Sequence, residues 1–107
     1  MFYNPIRRKK EVKNYQRFAI CTVYKESSSL KNGEHYHYTF LYQGKLYDNY
    51  NSKSNRYKVN FGDRFMVEFS YQDPEISFIH YEWPISNNLV ESPDSGWSKV
   101  PYDLLGK

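Results

Sequence analysis

Cysteine and alanine each occur once, at Cys21 and Ala19. A single thiol excludes an internal disulfide and any cysteine-rich zinc site. The near-absence of alanine removes the best helix former. No apolar run approaches the roughly 18 residues of a membrane-spanning helix; the longest plainly apolar stretch is residues 18–23, and mean hydropathy is −0.88. The first residues carry charge with no apolar run behind them, so no secretory signal is expected. Aliphatic side chains are scarce too. Leu, Ile and Val number 17, and with Phe the set reaches 24 of 107 residues, just above the range of disordered chains.

Rings fill that gap. Tyr occurs 12 times and Phe 7 times. Aromatic and β-branched residues fit a pleated surface, so the chain is expected to be all-β with a core built largely from rings. At 107 residues there is room for one domain. Charge is uneven. Residues 1–17 hold six Lys/Arg against one Glu, a net +5, while the remaining nine Lys/Arg meet eleven Asp/Glu, a net −2. The expected organisation is a basic N-terminal arm over residues 1–17, a β domain over 18–85 and an irregular tail over 86–107, docked on the domain or on a partner.

Residues 18–25 read as a first strand ending in a Ser-rich turn at Glu26, Ser27, Ser28 and Ser29, with a second turn signal at Lys31, Asn32 and Gly33. Residues 36–42 alternate, with Tyr36, Tyr38, Phe40 and Tyr42 on one face and His35, His37, Thr39 and Leu41 on the other. Gln43-Gly44 is a two-residue hairpin into residues 45–50, and residues 51–58 read as a polar loop. A fourth strand over 64–70 points Phe65, Val67 and Phe69 inward and Arg64, Met66 and Glu68 outward. A fifth over 76–83 sets Ile79, Tyr81 and Trp83 against Ile76, Phe78 and His80, and Pro84 ends it. Five short strands suggest a small antiparallel barrel or curled sheet of OB-like or SH3-like type.

The series Tyr36-His37-Tyr38-Thr39-Phe40, Tyr42-Gln43-Gly44-Lys45-Leu46-Tyr47, Phe61-Gly62-Asp63-Arg64-Phe65 and Asp73-Pro74-Glu75-Ile76 resembles a class of small bacterial β domains of unknown function. The resemblance covers residues 18–85 and implies a β fold without catalytic residues. Many members carry a membrane-anchoring N-terminal helix, for which the charged residues 1–17 offer no counterpart.

His35 and His37 share a strand face and could hold a metal if a third ligand such as His80, Asp48 or Glu82 joined them; the opposing reading is two solvent-facing side chains. Cys21 lies in an apolar strand and reads as a small hydrophobe. No phosphate loop, nucleophile elbow or His-Glu-x-x-His is present, so no enzyme and no cofactor are expected. The first functional expectation is a cytoplasmic interaction module for a protein partner or for self-association as a homo-oligomer. The alternative is single-stranded nucleic-acid binding. There Tyr47, Tyr50 and Tyr57 would stack bases and Lys45, Lys53 and Arg56 would track phosphates, with Arg7, Arg8, Lys9 and Lys10 adding contacts from the arm. Against it, the tyrosines are also the natural core, and the body is mildly acidic.

Overall fold

The computed structural model describes residues 5–31, 33–86 and 90–105. Five strands form one antiparallel sheet: β1 (Gln16–Ser29), β2 (Gly33–Tyr42), β3 (Lys45–Ser52), β4 (Arg64–Ser70) and β5 (Ser77–Pro84). Their spatial order is β3-β2-β1-β4-β5. A helix, α1 (Pro5–Asn14), precedes them and a short 3-10 turn spans Tyr102–Leu105. No helix among the described residues is long and apolar enough to cross a membrane.

β1 organises the sheet. Its first half pairs with β4, from Gln16 opposite Ser70 to Thr22 opposite Arg64. Its second half pairs with β2, from Cys21 opposite Phe40 to Ser29 opposite Gly33. The expected Ser-rich turn at residues 26–29 is therefore strand. Pairing with β2 outweighs the weak strand preference of serine, and the reversal falls between Ser29 and Gly33, whose φ of 79° suits glycine. The Gln43-Gly44 hairpin forms as expected, with φ of 51° and 77° and Tyr42 opposite Lys45.

The alternation in β2 and β4 holds. Ala19, Cys21, Val23, Tyr38, Phe40, Tyr42, Phe65, Val67, Phe69, Ile79 and Tyr81 form the main core. Two expectations about faces need correction. Met66 points away from this core yet is fully buried, because a second cluster with Phe18, Ile20 and Ile85 covers it. Trp83 joins that second cluster rather than the main core. A bulge causes the switch: Phe65 pairs with Pro84 while Met66 pairs with His80.

The second cluster exists because the chain ends cover one half of the sheet's outer face. Trp97 pairs with Phe18 through two 2.8 Å backbone hydrogen bonds, and Val90, Trp97 and Val100 pack there. The tail fills the part of β1 that β2 does not reach. Residues 1–17, expected to be an arm, contain α1 and the start of β1. Val12, 1% exposed, packs α1 down, and the Ser70 hydroxyl donates to Glu11 Oε2 at 2.8 Å. With Val12 as the one buried apolar anchor among the described residues of α1, tertiary docking rather than helical periodicity accounts for this helix.

Backbone pairing leaves β3 and β5 as edges, but side chains span the gap between them. Asn51 Oδ1 accepts from the Ile79 amide at 2.8 Å, and Asn49 Nδ2 donates to Glu75 O at 2.9 Å and to Ser77 Oγ at 2.6 Å. The Tyr38 hydroxyl, inside the core, donates to Asn51 Oδ1 at 2.8 Å and meets Ser77 Oγ at 2.7 Å. The two edges are thus occupied, which blunts edge-to-edge association there.

Gly96 has φ of 70°, and a Cβ there would sit 2.8 Å from Phe18 O. Gly96→Ala is expected to lift the tail and cost about 1–3 kcal/mol. Thermal unfolding checks this, at roughly 4–8 °C per kcal/mol for a domain of this size.

Candidate interaction face

α1 and the tail cover the outer face over β4, β5 and the start of β1, and they leave the rest of that face open. The open half carries Tyr24, Leu41, Leu46 and Tyr50, all exposed, with Leu46 at 60% and Tyr50 at 54%. Leu41 sits directly opposite Leu46, and His37 opposite Tyr50. The bulge at Val23–Lys25 interrupts alternation, so Lys25 lies opposite His37 and the Tyr24 ring stands 6.3 Å from that imidazole. Tyr50 packs against both imidazoles, at 5.2 Å from His35 and 5.1 Å from His37. His37 Nε2 lies 2.8 Å from Ser27 Oγ. Tyr24 donates to Asp48 Oδ2 at 2.5 Å, and this hydrogen bond raises the phenol's pKa. Two depressions mark the face. One, of about 580 Å³, is lined by Ser27, Ser28, His35, His37 and Tyr50; the other, of about 360 Å³, runs between Thr22, Leu41 and Leu46 and the tail at Ser92 and Pro93.

The residues assigned to a Tyr/Lys nucleic-acid surface are not gathered on one face. Tyr47 is half-buried and stacks on Phe40 at 5.6 Å in the main core, with Lys45 Nζ 5.0 Å above its ring. Tyr50, three positions on, faces the opposite side of the sheet, as strand periodicity requires. Lys53 is ion-paired with Glu26 and, at 3.8 Å, with Glu34, so its charge is matched. Arg56 and Tyr57 follow β3 in a turn, and Tyr57 borders a cleft with Ile85. Lys9 and Lys10 are exposed on α1, which packs on β4 and β1; Arg7 and Arg8 belong to the same helix, but their side chains lie outside the described residues. Leu89, one expected tail anchor, also lies outside them.

His35 and His37 do share a face. Among the described residues, no group of three His, Cys, Asp or Glu converges as a metal site. Asp48 takes the Tyr24 hydroxyl, and His80 is engaged elsewhere. Cys21 is fully buried, and burial pushes its thiol pKa far up, which makes it inert.

A cluster that sequence spacing did not bring together lies beneath α1. His80 Nε2 is 2.8 Å from Glu68 Oε1, and its Nδ1 is 3.0 Å from Glu82 Oε2. A neutral imidazole carries one N–H, so only the imidazolium donates to both carboxylates. Gln16 Nε2 adds a 2.5 Å hydrogen bond to Glu68, and Trp83 stacks on His80 at 4.6 Å. Burial opposes charge on His80, but the hydrogen bonds to Glu68 and Glu82 outweigh it and raise the pKa. The hydrogen bond from His80 holds Glu68 below its ordinary value against burial, with Gln16 and Lys13 assisting. The only sequence signal was the two-residue step from His80 to Glu82.

No family model, curated protein or solved structure matches the chain.

His80 contributes fully below its unfolded value of 6.5, and its contribution fades as pH rises through the raised folded value. Glu68 contributes fully above 4.5 and loses its contribution as pH falls through the lowered value. The pair is strongest between these limits. His80→Gln is expected to cost on the order of 1 kcal/mol near pH 6, with the difference from the parent chain shrinking toward pH 9. Urea unfolding at both pH values checks this; a cost that does not change with pH contradicts it.

Proposed function

We propose that this chain is a non-enzymatic binding module that receives a protein partner, or a second copy of itself, on the open half of its outer face. One observation carries this reading. A chain short of apolar residues leaves Tyr24, Leu41, Leu46 and Tyr50 together in solvent while its own ends cover the other half of the same face. Exposed aromatic and aliphatic residues grouped in this way mark interaction sites. The bridged edges favour face-on docking over strand addition. Cys21 is buried and His80 is clamped between carboxylates, so neither supports nucleophilic catalysis. The side-chain seam between β3 and β5 fits a small barrel of OB-like or SH3-like type, and the motif resemblance to small bacterial β domains agrees with it. An unpaired cysteine suits work in the reducing cytoplasm.

A second reading, single-stranded nucleic-acid binding, is supported by Lys9, Lys10 and Lys13, all exposed on α1.

Sedimentation equilibrium tests the first reading in its self-association form. The parent chain is expected to exceed its 13.0 kDa monomer mass as concentration rises. A chain carrying Leu46→Lys and Tyr50→Ser is expected to stay at that mass with its thermal midpoint little changed, because both side chains already lie in solvent. Equal masses for the two chains at every concentration contradict the assignment of this face.

A further inference from the structure

We propose that the stretch of β1 covered by the tail is a strand-addition site, and that its partner in trans is an extended protein segment with a large aromatic side chain opposite Phe18; this rests on the reading of the chain as a protein-binding module and names the segment it takes. The site lies on β1, inside the sheet, and not on the bridged edges. β2 pairs with β1 only as far as Phe40 opposite Cys21. The tail takes the backbone groups that β2 leaves over. The Phe18 amide donates to Trp97 O and the Trp97 amide to Phe18 O, both at 2.8 Å, and the Ile20 amide donates to Ser92 Oγ at 3.0 Å.

The tail uses this site incompletely. In an antiparallel ladder the residue opposite Ile20 stands two positions before the residue opposite Phe18. With Trp97 opposite Phe18, that residue is Ser95. Ser92 meets the Ile20 amide instead, and the chain between is looped out. The Gly96 amide donates to Pro93 O at 2.9 Å, Gly96 has φ of 70°, and Asp94 O accepts from the Gln43 amide at 2.7 Å. One bridge and one side-chain acceptor thus stand where an extended segment would lay a continuous ladder, with a carbonyl in place of the Ser92 hydroxyl. The seat of Trp97 shows what the site selects, since its ring packs on the cluster of Phe18, Ile20 and Met66. Past Ile20 the slot opens onto the 360 Å³ depression bordered by Thr22, Leu41 and Leu46, so a segment running along β1 passes from the Trp97 seat to the open half of the face. The tail of a second copy carries the same turn at residues 93–96 and gains no bonds over the tail in place. An extended segment of another protein is therefore the better fit.

Fluorescence anisotropy with the labelled peptide Thr-Val-Thr-Gly-Trp-Thr-Lys tests the site on the full chain. Gly96→Ala, which lifts the tail, is expected to bind the peptide about fivefold or more tighter than the parent, because the tail no longer competes for the slot. Ser92→Ala, which removes only the acceptor for Ile20, is expected to tighten binding less, with circular dichroism matched to the parent. The peptide N-methylated at its tryptophan amide is expected to lose binding, as is the peptide with that tryptophan replaced by alanine. Amide exchange at Ile20 in the Gly96→Ala chain is expected to slow about tenfold when the peptide is bound. No binding to any of the three chains, equal affinity for the parent and both variants, or equal binding of the N-methylated peptide overturns the strand-addition site. Tail variants that dimerise and leave the peptide unbound overturn it too, since the slot then takes a second copy. A peptide that fails to bind while Leu46→Lys with Tyr50→Ser still abolishes self-association overturns the slot and leaves the open face standing.

Discussion

The hydroxyl of Tyr38 sets the terms for the rest of the fold. With few aliphatic residues, the core is filled by rings, and a fully buried phenol must find a hydrogen-bond partner or lose stability. Tyr38 finds two, Asn51 on β3 and Ser77 on β5. Those residues lie on the two edge strands of a sheet whose backbone ladder stays open. Satisfying one core hydroxyl therefore draws the edges toward each other, and the amides of Asn49 and Asn51 then complete the seam with the backbone of Glu75, Ser77 and Ile79.

That seam shapes what the surface can do. Edge strands are the usual places for another chain to add itself. Here stretches of both edges are occupied from within, which disfavours strand addition there. The outer face is divided by the chain's own ends. Ile85, Trp83 and the tail at Val90, Trp97 and Val100 pack over Met66, and His80 sits where helix, β4 and β5 meet. The open half of the face lies beside that covered region.

Much of this was legible in residue order. Tyr36 to Tyr42 and Phe65 to Phe69 alternate cleanly, and their inward sets are the main core. The Gln43-Gly44 turn and the stop at Pro84 were readable from backbone chemistry alone. What escaped depends on distant partners. Residues 26–29 look like a turn until β2 is laid beside them. α1 has only Val12 as a described buried anchor. Trp83 changes faces through a bulge that no local pattern encodes. The candidate face was half legible: His35, His37 and Tyr50 were singled out, whereas Tyr24 and the Leu41–Leu46 pair emerge only once strand register is fixed. Tyr71 meets the Tyr15 ring edge to face at 5.5 Å and lies under Arg17, more than fifty positions away, and no spacing rule connects them.

The most direct test of the seam is amide hydrogen exchange at Ile79 in Asn51→Ala, alongside urea unfolding. With Asn51 Oδ1 gone, the Ile79 amide and the Tyr38 hydroxyl each lose an acceptor. Exchange at Ile79 is predicted to quicken by an order of magnitude or more, with overall stability falling by about 1–3 kcal/mol. Unchanged protection at Ile79 together with an unchanged urea midpoint would contradict the claim that these side chains hold the two edges together.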